Sequence, residues 1–269
     1  MDILVTLNEN YVPQLRVMLT SLWLNDPGEE THIWLLHSSL SQSTVDGLKR
    51  LCAAHGSHLH EVQADQSLFT SAPSSRQYPP EMYYRLLAGQ LLPASLKRVL
   101  YLDPDILIIN PLRPLWDTDL EGNIFGACAH TGKTEIANDI SRLRLGTDKY
   151  YNSGVLLMDL EQARREIVPD ALFSYAEEHR KELILPDQDM LNAIFGSRIL
   201  DLPDILWNYD ARNYSTYYLR TAGEANTDWV MANTAILHFC GKEKPWKSLY
   251  RHRFGILYKH YMNLSQRQI

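Results

Sequence analysis

An α/β fold, with helices flanking a mainly parallel sheet, is what this sequence predicts. Three observations carry the expectation. Over the first hundred residues, short apolar runs alternate with helix-spaced patterns, an order that suits parallel strands joined by helical crossovers. The chain has 269 residues, 45% hydrophobic and 22% charged, which is enough for one full core. No internal repeat, low-complexity tract or linker divides it. Residues 1–269 therefore read as a single domain, with about 242–269 as a basic, aromatic C-terminal helical extension.

The elements follow in order. Ile3 to Leu7 is a short apolar run and reads as a buried strand. Val12 to Leu24 places Leu15, Met18, Leu19 and Leu22 on one helical face. His32 to His37 is a second strand. Ser41 to His55 is a helix with Ser41 or Ser43 as N-cap, and His58 to Val62 is a weaker strand. Met82 to Leu92 reads as a helix ending at Pro93, and Arg98 to Asp103 as a strong strand. Beyond Asp105 the pattern loosens. Phe125 to Ala129 and Gly154 to Met158 read as strands, and Gln162 to Glu182 as a helix interrupted near Pro169. Asp189 to Phe195 is a short helix, Thr234 to Phe239 a last strand, and Leu249 to Leu264 a helix-compatible segment.

Charge narrows the function. The net charge is −6, yet residues 242–269 hold seven Lys or Arg against Glu243 alone, leaving −12 on residues 1–241. An acidic body does not suit nucleic acid as a partner, whereas a basic tail suits phosphate or an anionic membrane surface. Cys52, Cys128 and Cys240 are scattered and set no metal spacing or disulfide framework. The opening Met1-Asp2-Ile3-Leu4-Val5 lacks the order of a signal peptide, and no apolar run approaches the roughly 20 residues of a membrane span. The expectation is a cytoplasmic protein, with possible peripheral attachment at the inner face of the membrane through the tail.

The chemistry centres on Asp103-Pro104-Asp105. Alternate residues of an extended chain face the same side, so the strand ending at Leu102 would deliver both carboxylates together. Pro104 cannot donate to a sheet ladder and ends the strand. Two adjacent carboxylates repel unless a cation lies between them, and oxygen ligands suit Mg²⁺ or Mn²⁺. The spacing also occurs at Asp117/Asp119 and Asp187/Asp189, so by itself it marks either a metal site or a solvated turn. Apolar residues on both sides favour the first pair, as does its place at a strand's carboxyl end, where open α/β sheets bind ligands.

Four segments in order then resemble glycosyltransferase family 8. They are Thr6-Leu7-Asn8-Glu9-Asn10-Tyr11; Tyr84-Arg85-Leu86 leading to Val99-Leu100-Tyr101-Leu102-Asp103-Pro104-Asp105; Tyr151-Asn152-Ser153-Gly154-Val155-Leu156 with Asp187-Gln188-Asp189-Met190-Leu191-Asn192; and His238-Phe239-Cys240-Gly241-Lys242-Glu243-Lys244-Pro245-Trp246. The resemblance implies a GT-A fold around one continuous central sheet. It also implies a retaining, metal-dependent hexosyltransferase that uses a UDP-sugar, UDP-glucose or UDP-galactose, and a saccharide, lipid-linked or cell-envelope acceptor. Asp103, Asp105 and His238 would hold the metal, with the imidazole tilting the choice towards Mn²⁺, although Mg²⁺ remains open. Gly241 and Lys244 would meet the diphosphate, and Asn8, Asn10 and Tyr11 the nucleoside. The family often has Asp where this chain has Asn8, which removes a charge near the base. Arg85 would lie near the donor sugar and phosphate. Asn152 and Asp187 would bind sugar hydroxyls, Gln188 would lie beneath the anomeric carbon, and Asp189 would support the start of its helix.

Two other readings compete. A haloacid-dehalogenase-like phosphatase also uses Asp-x-Asp at a strand end, but its motif continues to Thr or Val where this chain has Leu107. A non-catalytic module could lay Trp246, Tyr250, Phe254, Leu257, Tyr258 and Tyr261 on a bilayer, unless these aromatics pack on the domain. Segments Ser71 to Pro80 and Asn208 to Tyr218 read as loops over the acceptor side.

Overall fold

In the computed structural model of the chain, the described residues are 1–64, 66–69, 72, 80–129 and 149–267. The expected alternation builds the first half: β1 (Asp2–Thr6), α1 (Val12–Asn25), β2 (His32–His37), α2 (Gln42–Ala54) and β3 (His58–Gln63). Ser41 is the N-cap of α2, its side chain accepting from the Thr44 N–H. The strands run on into a seven-stranded sheet with β4 (Arg98–Leu102), β6 (Phe125–Ala129), β7 (Tyr151–Asp159) and β8 (Ile199–Asp201), in the order β3-β2-β1-β4-β7-β6-β8. β3, β2, β1 and β4 are mutually parallel and β8 is parallel to β6, whereas β7 is antiparallel to both its neighbours.

A second sheet was not anticipated. β5 (Ile106–Ile108), β9 (Tyr209–Asp210) and β10 (Ile236–His238) form it in the order β5-β10-β9. It grows from the turn at Asp103–Asp105, where the chain leaves the large sheet. Its strands are only two or three residues long, too short to show a period of their own in the sequence.

Two local expectations change. Met82 to Leu92 is not one helix. A 3-10 turn at Pro80–Tyr83 is followed by turns and a short α3 (Ala88–Leu91), which leaves Arg85 on a turn. Tyr83 packs edge-on against Phe173 at 5.1 Å while Tyr84 meets Phe69 at 5.2 Å, so this segment is buried on several sides and has no amphipathic face. Asn208 to Tyr218 is not simply a loop: it holds β9 and the start of the helix Tyr214–Arg220. Of Ser71 to Pro80, only Ala72 and Pro80 are among the described residues.

The tail also resolves differently from a membrane-lying face. Its helix, Gly255–Gln266, begins later than expected, and the Tyr250 ring lies where a Cβ at Gly255 would sit. Phe254, Tyr258 and Tyr261 are buried in a core cluster with Val17 of α1 and Tyr209, Leu237 and Phe239, and Trp246, Tyr250 and Leu257 pack on it. These aromatics pack on the domain, Phe254, Tyr258 and Tyr261 fully and the other three in part. No helix among the described residues is long and apolar enough to cross a membrane. Tyr258 is 1% exposed and packs at 5.0 Å on Phe239, beside His238. Tyr258→Ala should therefore cost about 3–5 kcal/mol in urea unfolding. Tyr258→Phe should cost nothing, since the buried hydroxyl has no hydrogen-bond partner among the described residues. Equal losses for both variants would contradict this packing.

Candidate active site

At the carboxyl end of β4 the chain opens a cleft of about 350 Å³. Strand register decides what meets there. Leu102 pairs with Val155 of β7, and the Asp103 N–H donates to the Gly154 carbonyl at 2.8 Å. β5 runs antiparallel to β10 with Ile106 opposite His238, which sets the carboxylate of Asp105 beside the imidazole. His238 Nε2 lies 3.3 Å from Asp105 Oδ1 and 3.9 Å from Asp103 Oδ2. One donor atom from each of these three residues falls within 4.8 Å of the others.

Cations surround the cluster. Lys244 pairs with the second oxygen of Asp105 and also donates to the Phe239 carbonyl at 3.0 Å. Arg85 donates to the Ser153 carbonyl at 3.0 Å and lies 3.1 Å from both Asp103 Oδ1 and Asp187 Oδ2. The Asp187 contact is an ion pair; Arg85 Nε is not aligned for a hydrogen bond. Burial alone would raise the Asp105 carboxyl, but His238 and Lys244 outweigh it and hold it well below the usual carboxylate range. Burial would likewise depress the His238 imidazole; the Asp105 carboxylate beside it outweighs that and raises it well above its ordinary value.

The sugar side comes from β7 and the helix Pro186–Phe195. Asn192 clamps the two elements: its side chain accepts from the Tyr151 N–H at 2.6 Å and donates to the Tyr151 carbonyl at 2.8 Å. That clamp sets Gln188 against β7, where its Oε1 accepts from Asn152 Nδ2 at 2.9 Å and from the Ser153 N–H at 3.2 Å. Asp189 faces away from the cleft. It accepts from the Ile184 and Leu185 N–H groups at 2.6 and 2.8 Å and from the Tyr150 hydroxyl, which pins the start of the helix as its acidic position predicts.

Every predicted site residue lines the cleft except Asn8, Asn10 and Tyr11. Those three lie just past β1, the strand beside β4, where Asn8 Oδ1 caps a 3-10 turn by accepting from the Asn10 N–H at 3.1 Å. Tyr11 meets the Trp246 ring edge-on at 6.2 Å, and Lys244 Nζ lies 5.6 Å from the centre of that ring. The sequence reading missed three groups. Tyr150 lines the cleft. Arg212 is held by two oxygens of the fully buried Asp210, at 2.9 and 2.6 Å, and stands where a Cβ at Gly241 would go. Asn208 is fully buried and bonds His238 Nδ1. The spacing Asp210-Ala211-Arg212 was the one available signal; lone Asn and Tyr residues carry none.

The cleft lies at the carboxyl ends of parallel strands, where open α/β sheets bind ligands, and the fold around it is of the GT-A type. The chain belongs to glycosyl transferase family 8, whose family model matches residues 2–249. It is similar to general stress protein A of Bacillus subtilis (29% identical, covering 99% of this chain and 94% of that protein). It is also similar to a lipopolysaccharide 1,2-glucosyltransferase of Escherichia coli (23% identical, covering 96% and 77%). Among solved structures, the galactosyltransferase LgtC in complex with donor and acceptor sugar analogues superposes with a TM-score of 0.81 at 23% identity, covering 98% of this chain and 96% of that one. The chain is a glycosyltransferase.

Proposed function

We propose that this enzyme transfers a hexose, glucose or galactose, from a UDP-sugar with retention of configuration to a glycan or lipid-linked acceptor, with Asp103, Asp105 and His238 holding Mn²⁺ or Mg²⁺. One observation carries the reading: three possible metal-ligand atoms, from Asp103, Asp105 and His238, lie within 4.8 Å of one another in the cleft. Such an arrangement needs a positive charge at its centre, either a proton or a divalent ion. Gly154 supports the ion. A Cβ there would press on the His238 ring, Asp103 Oδ2 and Asn152 Oδ1, so the glycine keeps space between the donors. A bound divalent ion would act as a Lewis acid on the diphosphate.

The chain's own residues do the rest. Lys244 and Arg85 offset charge growing on the departing UDP, and Asp187 and Asn152 orient the sugar hydroxyls. Gln188 is no nucleophile: it is an amide whose oxygen already accepts two hydrogen bonds. Asp187 is tied to Arg85. Retention then follows from attack on the face that UDP leaves. The acceptor oxygen bonds to the anomeric carbon, the bond from that carbon to the β-phosphate oxygen breaks, and the acceptor's proton passes to a phosphate oxygen of UDP. The lipopolysaccharide glucosyltransferase and galactosyltransferase relatives support a hexose donor and an envelope-glycan acceptor.

A panel of UDP-sugars with Mn²⁺, read by UDP release, tests this proposal. Turnover of UDP-glucose or UDP-galactose that EDTA abolishes is expected. Hydrolysis of an aryl phosphate with no UDP-sugar turnover would restore the phosphatase alternative. Lys244→Ala should weaken UDP binding about 10- to 100-fold, the worth of a charge-assisted hydrogen bond, and leave uridine nearly unaffected. Equal losses for the two ligands in calorimetry would remove the lysine from the diphosphate.

A further inference from the structure

Gln188, Asn152, Asn208 and His238 form one continuous hydrogen-bonded chain, and its direction can be worked out from the backbone. The Gly154 N–H points at one end of the Asn152 side-chain amide, at 2.9 Å. The Ser153 N–H points at one end of the Gln188 amide, at 3.2 Å. A backbone N–H only donates, so both of those ends are carbonyl oxygens. Asn152 therefore turns its Nδ2 to Gln188 Oε1, at 2.9 Å. Asn208 must in turn offer an N–H to Asn152 Oδ1, also at 2.9 Å. That leaves Asn208 Oδ1 facing His238 Nδ1 at 2.8 Å. An acceptor there requires the hydrogen on Nδ1.

To ligate a metal the imidazole must be neutral, and it then carries one N–H. With it committed at Nδ1, the lone pair is on Nε2, the nitrogen that faces Asp105 Oδ1 and Asp103 Oδ2. The buried, free Cys240 thiol also reaches this ring. A neutral thiol is a weak donor and acceptor and does not reverse the assignment. Asn208 is fully buried and His238 is 3% exposed, so no bulk water competes for Nδ1.

We propose that Asn208 is a positioning residue: it holds His238 in the tautomer and ring orientation that present Nε2 to the two carboxylates. The inference rests on the metal-site reading above. It adds that the metal ligand and Gln188, on the sugar side, are aligned by one amide relay whose polarity is set by the β7 backbone. Hydrogen-bond partners of metal-ligating histidines typically contribute 10- to 100-fold to metal affinity.

The test uses the full chain and Mn²⁺ alone. Electron paramagnetic resonance of free Mn²⁺ gives affinity, and pulsed resonance detects a coordinated imidazole nitrogen. Asn208→Leu should weaken Mn²⁺ binding about 10- to 100-fold and diminish the nitrogen coupling, with an unchanged circular dichroism spectrum. Asn208→Asp still accepts from Nδ1–H and should keep the nitrogen coupling, although it can no longer donate to Asn152 Oδ1. In a His238→Ala background, Asn208→Leu should add no further loss, because two residues acting through one contact are not additive. Native coupling in Asn208→Leu, or a full further loss in the His238→Ala background, would overturn the role of Asn208 and leave the metal site standing. If the wild-type chain showed no nitrogen coupling to bound Mn²⁺, the metal reading and this proposal would fall together.

Discussion

Asp105→Asn is expected to lower metal-dependent UDP release by roughly 10³-fold or more, because a Lewis-acid ion supplies several kcal/mol to the transition state and each 1.4 kcal/mol is a factor of ten. Asp105 sits at the junction of the two sheets and touches both His238 and Lys244, so the substitution removes a donor from the cluster and the counter-charge of the lysine at once. Asp103 differs: it is partly exposed, shares its charge with Arg85 and accepts from the Tyr101 hydroxyl at 2.6 Å. The check is Mn²⁺ affinity measured beside turnover. A variant that binds Mn²⁺ as the parent does, or that retains EDTA-resistant turnover, would remove Asp105 from the metal site.

Gly154→Ala should be nearly as damaging, although it deletes no chemical group. Its added methyl would press on the His238 ring and on Asp103 Oδ2, both on the donor cluster, and would sit 3.0 Å from Asn152 Oδ1 on the sugar side. All three positions are pinned by the β4–β7 and β5–β10 registers, so little can shift to accommodate it. Displacements of about 1 Å at a reacting centre can cost about 10²-fold in rate, while overpacking costs about 1–3 kcal/mol of stability. The expected result is a folded protein with a modestly lower unfolding midpoint, weakened Mn²⁺ binding and about 1% of parental turnover. Near-native turnover would show that the cluster needs no such space.

Much of the scaffold was legible in local pattern. β2 and β6 fall on the residues whose apolar runs predicted them, and Ser41 caps α2 as its position suggested. The helix Pro169–Glu178 begins at the interruption its proline marked. Where prediction faltered, burial was the reason. Tyr83 through Ala88 is buried almost throughout, so no periodic face distinguished helix from turn. The tail's aromatics could equally have faced lipid or protein, and only the presence of α1, Tyr209 and Phe239 beneath them decides that they pack inward.

By itself, the sequence determined the α/β alternation, the strand end at Asp103-Pro104-Asp105 and, through three of the four ordered segments, most of the residues that came to line the cleft. These are local properties: a residue's own preference for burial, extension or a turn is written within a few neighbours. Tertiary structure alone decided that Asp105 and His238 face each other, because that contact depends on β10 pairing antiparallel to β5 in one register. It alone placed Asn208 behind His238, added the second sheet and laid the tail on α1. Pairing register and hydrogen-bond direction are set by which backbone edge and which polar group remain open once the rest of the chain has folded, and no local pattern records them.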